Sequence, residues 1–330
     1  MLHQSRWGTL LFDAALTNLL SPPVLAFGLG VLAAAMKSDL KVPDAMMRAL
    51  SIYLLLAIGL KGGVALRGET AAAVLGPVAL SLALGVIIPA AAYGALRVVT
   101  RLSRVDRGAI AAHYGSTSLV TFTAALVFLD SAGIAYPGYA ATLLAVLEVP
   151  GILIGILLAR RHLAKTAGWS PTLHEVLTGK SVLLLVGGLA IGLIAGPAGY
   201  APIEPVFTDA FRGLLVLFLL ALGLEVGHRL GTIREGGAGL IAFALVFPPA
   251  AGALGVAAAA LIGMDVGGAV VLGILCASAS YIAAPAAVRL ALPDANTALS
   301  LTASIGITFP LNLVIGIPAL TWLAQQLAPQ

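Results

Sequence analysis

Cysteine occurs once, at Cys276, so the chain can form neither an internal disulfide nor a four-thiolate metal site, and the residue reads as a small buried hydrophobe. Charge is also scarce. Only 10% of the 330 residues are Asp, Glu, Lys or Arg and 6% are aromatic, against 60% hydrophobic and a mean hydropathy of +1.05. That mixture excludes an ordinary soluble domain. It also leaves little for chemistry: no nucleophile–base pair, metal-ligand cluster or phosphate loop stands at a workable spacing, so the chain does not read as an enzyme and no cofactor is expected. The net charge of +4 does not argue for nucleic acid, because basic residues in a membrane protein report orientation first.

What the chain has in quantity is long apolar runs. A helical crossing takes about 20 mostly apolar residues. Runs at 22–37, 44–66, 70–98, 106–129, 138–160, 180–197, 208–229, 236–263, 267–290 and 298–325 predict an all-α integral membrane protein of about ten transmembrane helices. The first and sixth are short, which predicts steep crossing or partial burial. The N-terminal stretch MLHQSRWGTLLFDAALTNLLSPP reads as an interfacial helix and not a signal peptide, because Asp13 and Asn18 interrupt it and no A-x-A site follows.

Alternate ends of these runs differ in charge. Most of the 18 Lys and Arg residues, including Lys37, Lys41, Arg48, Arg97, Arg101, Arg104, Arg107, Arg160, Arg161, Lys180 and Arg289, fall on one side. Arg6, Arg67 and Arg212 fall on the other, and Lys61 lies inside a span. The positive-inside rule then predicts a multi-pass protein of the cell (inner or plasma) membrane with both termini outside and the middle loop in the cytoplasm.

The chain also repeats itself. GLKGGVAL (59–66) matches GLEVGHRL (223–230), GSTS (115–118) matches ASAS (277–280), and EVPGILIGI (148–156) matches TFPLNLVIGI (308–317), in the same order and at similar offsets. An odd number of spans per half makes the second half enter from the opposite face. The reading is therefore two inverted five-helix repeats, 1–165 with the N-terminal interfacial helix and 180–330, joined by a short cytoplasmic linker at 166–179.

Within the fourth and ninth spans lie polar clusters, HYGSTSLVT (113–121) and CASASYIAAPAAVR (276–289). Irregular backbone at membrane depth is tolerated only where it lines a cavity or packs inside protein, so both spans are predicted to be interrupted, with Pro285 breaking the ninth. Half-helix N-termini meeting near the midplane offer free N–H groups and partial positive charge to a small anion. Candidate substrate contacts are Ser116, Thr117, Ser118, Thr121, Ser278, Ser280 and Tyr281. The same small residues also serve close helix packing, and that alternative stands beside the binding one. Intramembrane ionisable groups are costly enough to be functional candidates. Glu148, before Pro150, is a candidate cation or proton site, and Thr308, its repeat equivalent, joins Ser304 and Asn312 as further candidate cation ligands. Lys61 and Glu225 sit at matching repeat positions near span ends, where snorkelling explains them. His113 reads as a titratable group or a satisfied structural one.

SPPVLAFGLGVLAAA (21–35), FRGLLVLFLLALGLEVGHRLG (211–231), GGAVVLGILCASASYIAAPAAVRLALPDAN (267–296) and IGITFPLNLVIGIPALTWLAQQL (305–327), in this order and spacing, resemble the sodium-dependent bicarbonate permeases of the SbtA type. The resemblance implies ten spans in two inverted halves, a core moving against a gate, a homotrimer, sodium-coupled bicarbonate uptake and a PII-like cytosolic regulator. It implies substrate contacts at Ser118, Thr121, Ser278 and Ser280. The chain departs from cyanobacterial members in having Ser-Ala-Ser then Tyr281 where they resemble SSSD, Leu119-Val120 for a Gly-Ser pair, and a much shorter middle link, while Glu148 keeps a carboxylate before the fifth-span proline. The expected function is a secondary transporter importing a small anion, bicarbonate first, by sodium symport and alternating access. The alternatives are a transporter of another, monocarboxylate-like anion, and a membrane signalling or scaffold protein with a vestigial path.

Overall fold

The computed structural model describes residues 19–161, 169–229, 231 and 236–329. Among them there is no strand, and eight helical stretches are long and apolar enough to cross a membrane. We number the helices α1 (Pro22–Ala35), α2 (Asp44–Leu66), α3 (Ala71–Val99), α4 (Arg104–Gly115), α5 (Leu119–Ser131), α6 (Ala140–Arg160) and α7 (Trp169–Thr178). There follow α8 (Lys180–Tyr200), α9 (Phe211–Arg229), α10 (Gly237–Leu261), α11 (Val266–Ala277), α12 (Ala284–Ala291) and α13 (Thr297–Leu327). Two of the expected spans fall short by length: α1 has 14 residues, and the ninth run is cut into α11, of 12, and α12, of 8. The N-terminal interfacial helix expected before residue 19 lies outside the described residues.

Local chemistry sets many of these ends. Thr70 accepts from the Ala73 amide, Ser103 from the Asp106 amide at 3.0 Å, and the Asp265 carboxylate from the Gly268 amide at 2.6 Å, each supplying an acceptor to a first-turn N–H. Proline acts in two ways. Pro197 follows Gly196, whose φ of 63° and ψ of −172° kink α8, a conformation that glycine adopts without steric cost. Pro285, expected to break the ninth span, instead sits in the first turn of α12, where a missing N–H costs nothing. The break is made upstream, at 278–283. Residues 169–178, inside the expected linker, form α7, which the buried Arg160 holds by standing 5.2 Å from the Trp169 ring and donating to Thr172 Oγ1.

Two close crossings organise one part of the bundle. α1 packs on α9 where Gly30 faces the Leu220 carbonyl and Gly223 the Phe27 carbonyl. α2 packs on α8 where Gly59 and Gly188 meet and Gly63 faces the Leu189 carbonyl. At each crossing, a Cβ in place of glycine would collide with backbone, so the missing side chain is what lets the helices approach. The remaining helices form a second part, with α4 lying against α3 and α6, and α11 against α10 and α13. Burial separates interior from periphery. The stretch Arg104–Ser131, containing α4 and α5, is 89% buried in its apolar window, against 28% for α3 and for α8. The most polar apolar run therefore occupies the middle of the protein, as a lipid-avoiding segment should.

Candidate functional site

α4 and α11 both stop inside the bundle, and the chain continues in extended form through 116–118 and 278–280 before α5 and α12 begin. The two breaks touch. The Ser118 amide donates to Ser278 Oγ at 2.9 Å, Ser278 Oγ donates to the Leu275 carbonyl at 2.9 Å, and the Ser280 amide donates to the His113 carbonyl at 2.7 Å. These bonds satisfy backbone groups that the interrupted helices would otherwise leave bare.

Each serine before a second half-helix serves that helix. Ser118 Oγ accepts from the Thr121 amide at 3.2 Å and from Thr121 Oγ1 at 3.0 Å. Ser280 Oγ accepts from the Ala283 and Ala284 amides, both at 3.3 Å. With these bonds made, the Leu119 and Val120 amides at the start of α5 have no acceptor among the described residues.

Thr117, Ser118, Leu119, Glu148, Ser181, Ser280, Tyr281 and Ile282 enclose a cavity of about 10 Å³, roughly the space of one water. Glu148 is 5% exposed, and its carboxyl lies near the Ser181 hydroxyl on α8, which lines the same cavity. Neither of the two salt bridges among the described residues, Arg212–Asp130 and Arg229–Glu225, involves it. A carboxylate in such a place needs a proton or a cation, since an isolated charge in a low-dielectric interior is costly. The Tyr281 hydroxyl approaches Ser118 without reaching hydrogen-bond geometry, and the buried Ser116 Oγ and His113 Nε2 also have no partner among the described residues.

The structure thus gathers Thr117, Ser118, Ser280, Tyr281 and Glu148 around one cavity, with Ser278 and Thr121 one hydrogen bond behind. The other candidate cation ligands stand elsewhere. Thr308 Oγ1 donates to the Ala244 carbonyl at 3.0 Å and meets Tyr114 Oη at 2.7 Å, and Ser304 Oγ donates to the Ser300 carbonyl at 2.8 Å. Asn312 Nδ2 donates to the Ala277 carbonyl at 2.7 Å, bracing the end of α11. Ser304, Thr308 and Asn312 lie in the π-helical stretches Thr302–Thr308 and Asn312–Gly316 of α13. Ser181 and Ile282, which sequence reasoning missed, complete the wall. Ser181 stands one residue after Lys180 at the head of a span, and no periodicity marks it.

The cavity has a polarity of access. Ser181 and Ile282 also line a 330 Å³ cavity whose wall includes Lys180 and Arg289, on the Lys/Arg-rich face. At the other end of α6 a 520 Å³ cavity, bordered by Lys61, Asp130, Tyr136 and Arg212, shares no residue with the small one. The small cavity therefore shares lining residues with the cavity on the Lys/Arg-rich face and none with the other.

Interrupted helices crossing at a small polar cavity, in a bundle of apolar helices, are the architecture of a membrane transporter. No curated protein matches the chain. A sequence model described as the Na+-dependent bicarbonate transporter superfamily matches residues 22–325, nearly the whole length. The chain belongs to the Na+-dependent bicarbonate transporter superfamily.

Proposed function

We propose that the protein imports a small anion, bicarbonate first, by sodium symport and alternating access, through ten crossings arranged as two inverted halves. The observation that carries this is the meeting of the two interrupted spans at Ser118 and Ser278, beside the cavity that holds Glu148. The paired crossings α1 with α9 and α2 with α8 support the inverted layout, since exchanging the halves turns one into the other. In this reading the anion takes the free amides at the start of α5 and the hydroxyls of Ser118 and Ser280. Sodium sits against Glu148, which supplies a carboxylate where Tyr281 does not. The water-sized cavity suits a single small cation and is closed to a multi-atom anion, so the conformation described is one without substrate room.

The energetics favour a co-transported cation. A monoanion entering against an interior-negative potential is opposed by about 2.3 kcal/mol per charge per 100 mV. One sodium ion cancels that term. The test is uptake of labelled bicarbonate into proteoliposomes under an inward sodium gradient, with potassium as control: sodium-dependent accumulation is expected, and absence of any uptake contradicts the reading. A second reading has one observation in its favour. Leu119, Ile282 and the Tyr281 ring give the cavity apolar walls, which suit the alkyl part of a monocarboxylate. Stronger competition by short monocarboxylates than by bicarbonate would select it.

A further inference from the structure

The 330 Å³ cavity beside the small one is lined by residues of four helices: Ile152 of α6, Glu175 of α7, Lys180 and Ser181 of α8, and Arg289 of α12. Its charges are unequal. Lys180 and Arg289 bring two positive charges and Glu175 one negative, and neither cation takes part in either salt bridge among the described residues. Arg48 on α2 lies near enough to act electrostatically on Lys180, adding a third positive charge to that flank. The head of α8 adds polar donors. Gly179 precedes it and offers no capping side chain, so the first amides of the helix, among them those of the cavity-lining Lys180, Ser181 and Val182, have no side-chain cap.

The small cavity adjoins this one, the two sharing Ser181 and Ile282 in their walls. An anion moving from the hydroxyls of Ser118 and Ser280 toward the Lys/Arg-rich face meets this wall, whose two side-chain cations join neither salt bridge among the described residues. We propose that this cavity is a second anion site on the cytoplasmic face, in which Lys180 and Arg289 receive the transported oxyanion as it leaves the central site. The inference rests on the small-anion transport reading for the identity of its occupant. Lys180 and Arg289 are both exposed side chains, so the site serves release and rebinding more than tight capture.

The physical consequence is an affinity that differs between the two faces. Removing a positive charge from the inner cavity weakens binding from the inside and leaves binding from the outer face as it was. Labelled bicarbonate transport is measured in everted and in right-side-out membrane vesicles for the wild type, Lys180→Gln, Arg289→Gln and Arg289→Lys. Expected is a rise of about five- to twentyfold in the half-saturating concentration on the inner face for the two Gln variants, a change within about twofold on the outer face, and near wild-type behaviour for Arg289→Lys, which keeps the charge. Equal shifts on both faces, no shift on either, or an Arg289→Lys variant as impaired as Arg289→Gln overturns the proposal. If the wild type carries no bicarbonate, the transport reading falls first. Calorimetric titration of the purified protein with bicarbonate then decides: heat lost in the Lys180→Gln/Arg289→Gln double variant keeps the site, and no heat with the wild type, or equal heat in both, removes it.

Discussion

The Ser118 amide and the Ser278 hydroxyl, 160 positions apart in the chain, meet at 2.9 Å where the two interrupted spans cross. The bond is buried, and the same Ser278 hydroxyl donates a hydrogen bond to the Leu275 carbonyl. One side chain thus ties the start of α5 to the end of α11.

Replacing it tests that tie. Ser278→Ala strips a buried amide of its acceptor, and an unsatisfied buried donor costs about 1–3 kcal/mol. The expected result is a lower thermal unfolding midpoint in detergent together with weakened anion uptake. Wild-type stability and uptake would mean that the two breaks are held by other contacts.

Glycine gives a prediction with opposite signs at two positions. At Gly63 an added Cβ would press on the Leu189 carbonyl and the Leu193 amide of α8, whereas at Gly28 nothing lies within 4 Å. Gly63→Ala should destabilise by about 1–3 kcal/mol through overpacking. Gly28→Ala should be neutral or stabilise by up to about 1 kcal/mol, because alanine loses less entropy in a helix. Thermal unfolding of the two variants side by side checks both signs.

Asp130 and Arg212 join α5 to α9 across the 520 Å³ cavity at 3.4 Å, with side chains 38% and 58% exposed. An ion pair so exposed contributes about 0–1 kcal/mol. Asp130→Asn should therefore leave the unfolding midpoint almost unchanged, and a loss above about 2 kcal/mol would show that the pair is shielded from water in the membrane-embedded protein.

These sites were unequally legible in the sequence. The long spans could be read because a bilayer demands a long apolar run, and α2 begins and ends where hydropathy places it. The interruptions were marked by serine and threonine clusters in otherwise aliphatic stretches. Pro285 misled about where the ninth span breaks, because a proline in the first turn of a helix and a proline that disrupts one look alike until the hydrogen bonds of Ser280 are known. α7 was hidden because its ten residues are too few and too mixed to stand out as a span, and its anchor, Arg160, lies in another element. Ser181 could not be found at all: its importance comes from α8 lying against α6, a contact between the two halves of the chain. Thr308 matched Glu148 by alignment of the repeats, yet it is engaged with Tyr114 and Ala244, so repeat equivalence identified the position and not the role.

The most direct test of the account is sodium-driven uptake of labelled bicarbonate into proteoliposomes by the wild type and by Glu148→Gln, which keeps the shape of the side chain and removes its charge. The account predicts sodium-dependent accumulation by the wild type and, in the variant, uptake that falls at least about tenfold or no longer responds to sodium, the tenfold fall corresponding to roughly 1.4 kcal/mol of lost coupling. Full sodium dependence in Glu148→Gln, or wild-type uptake indifferent to sodium, would contradict a sodium-holding role for the carboxylate at the crossing of the two broken spans.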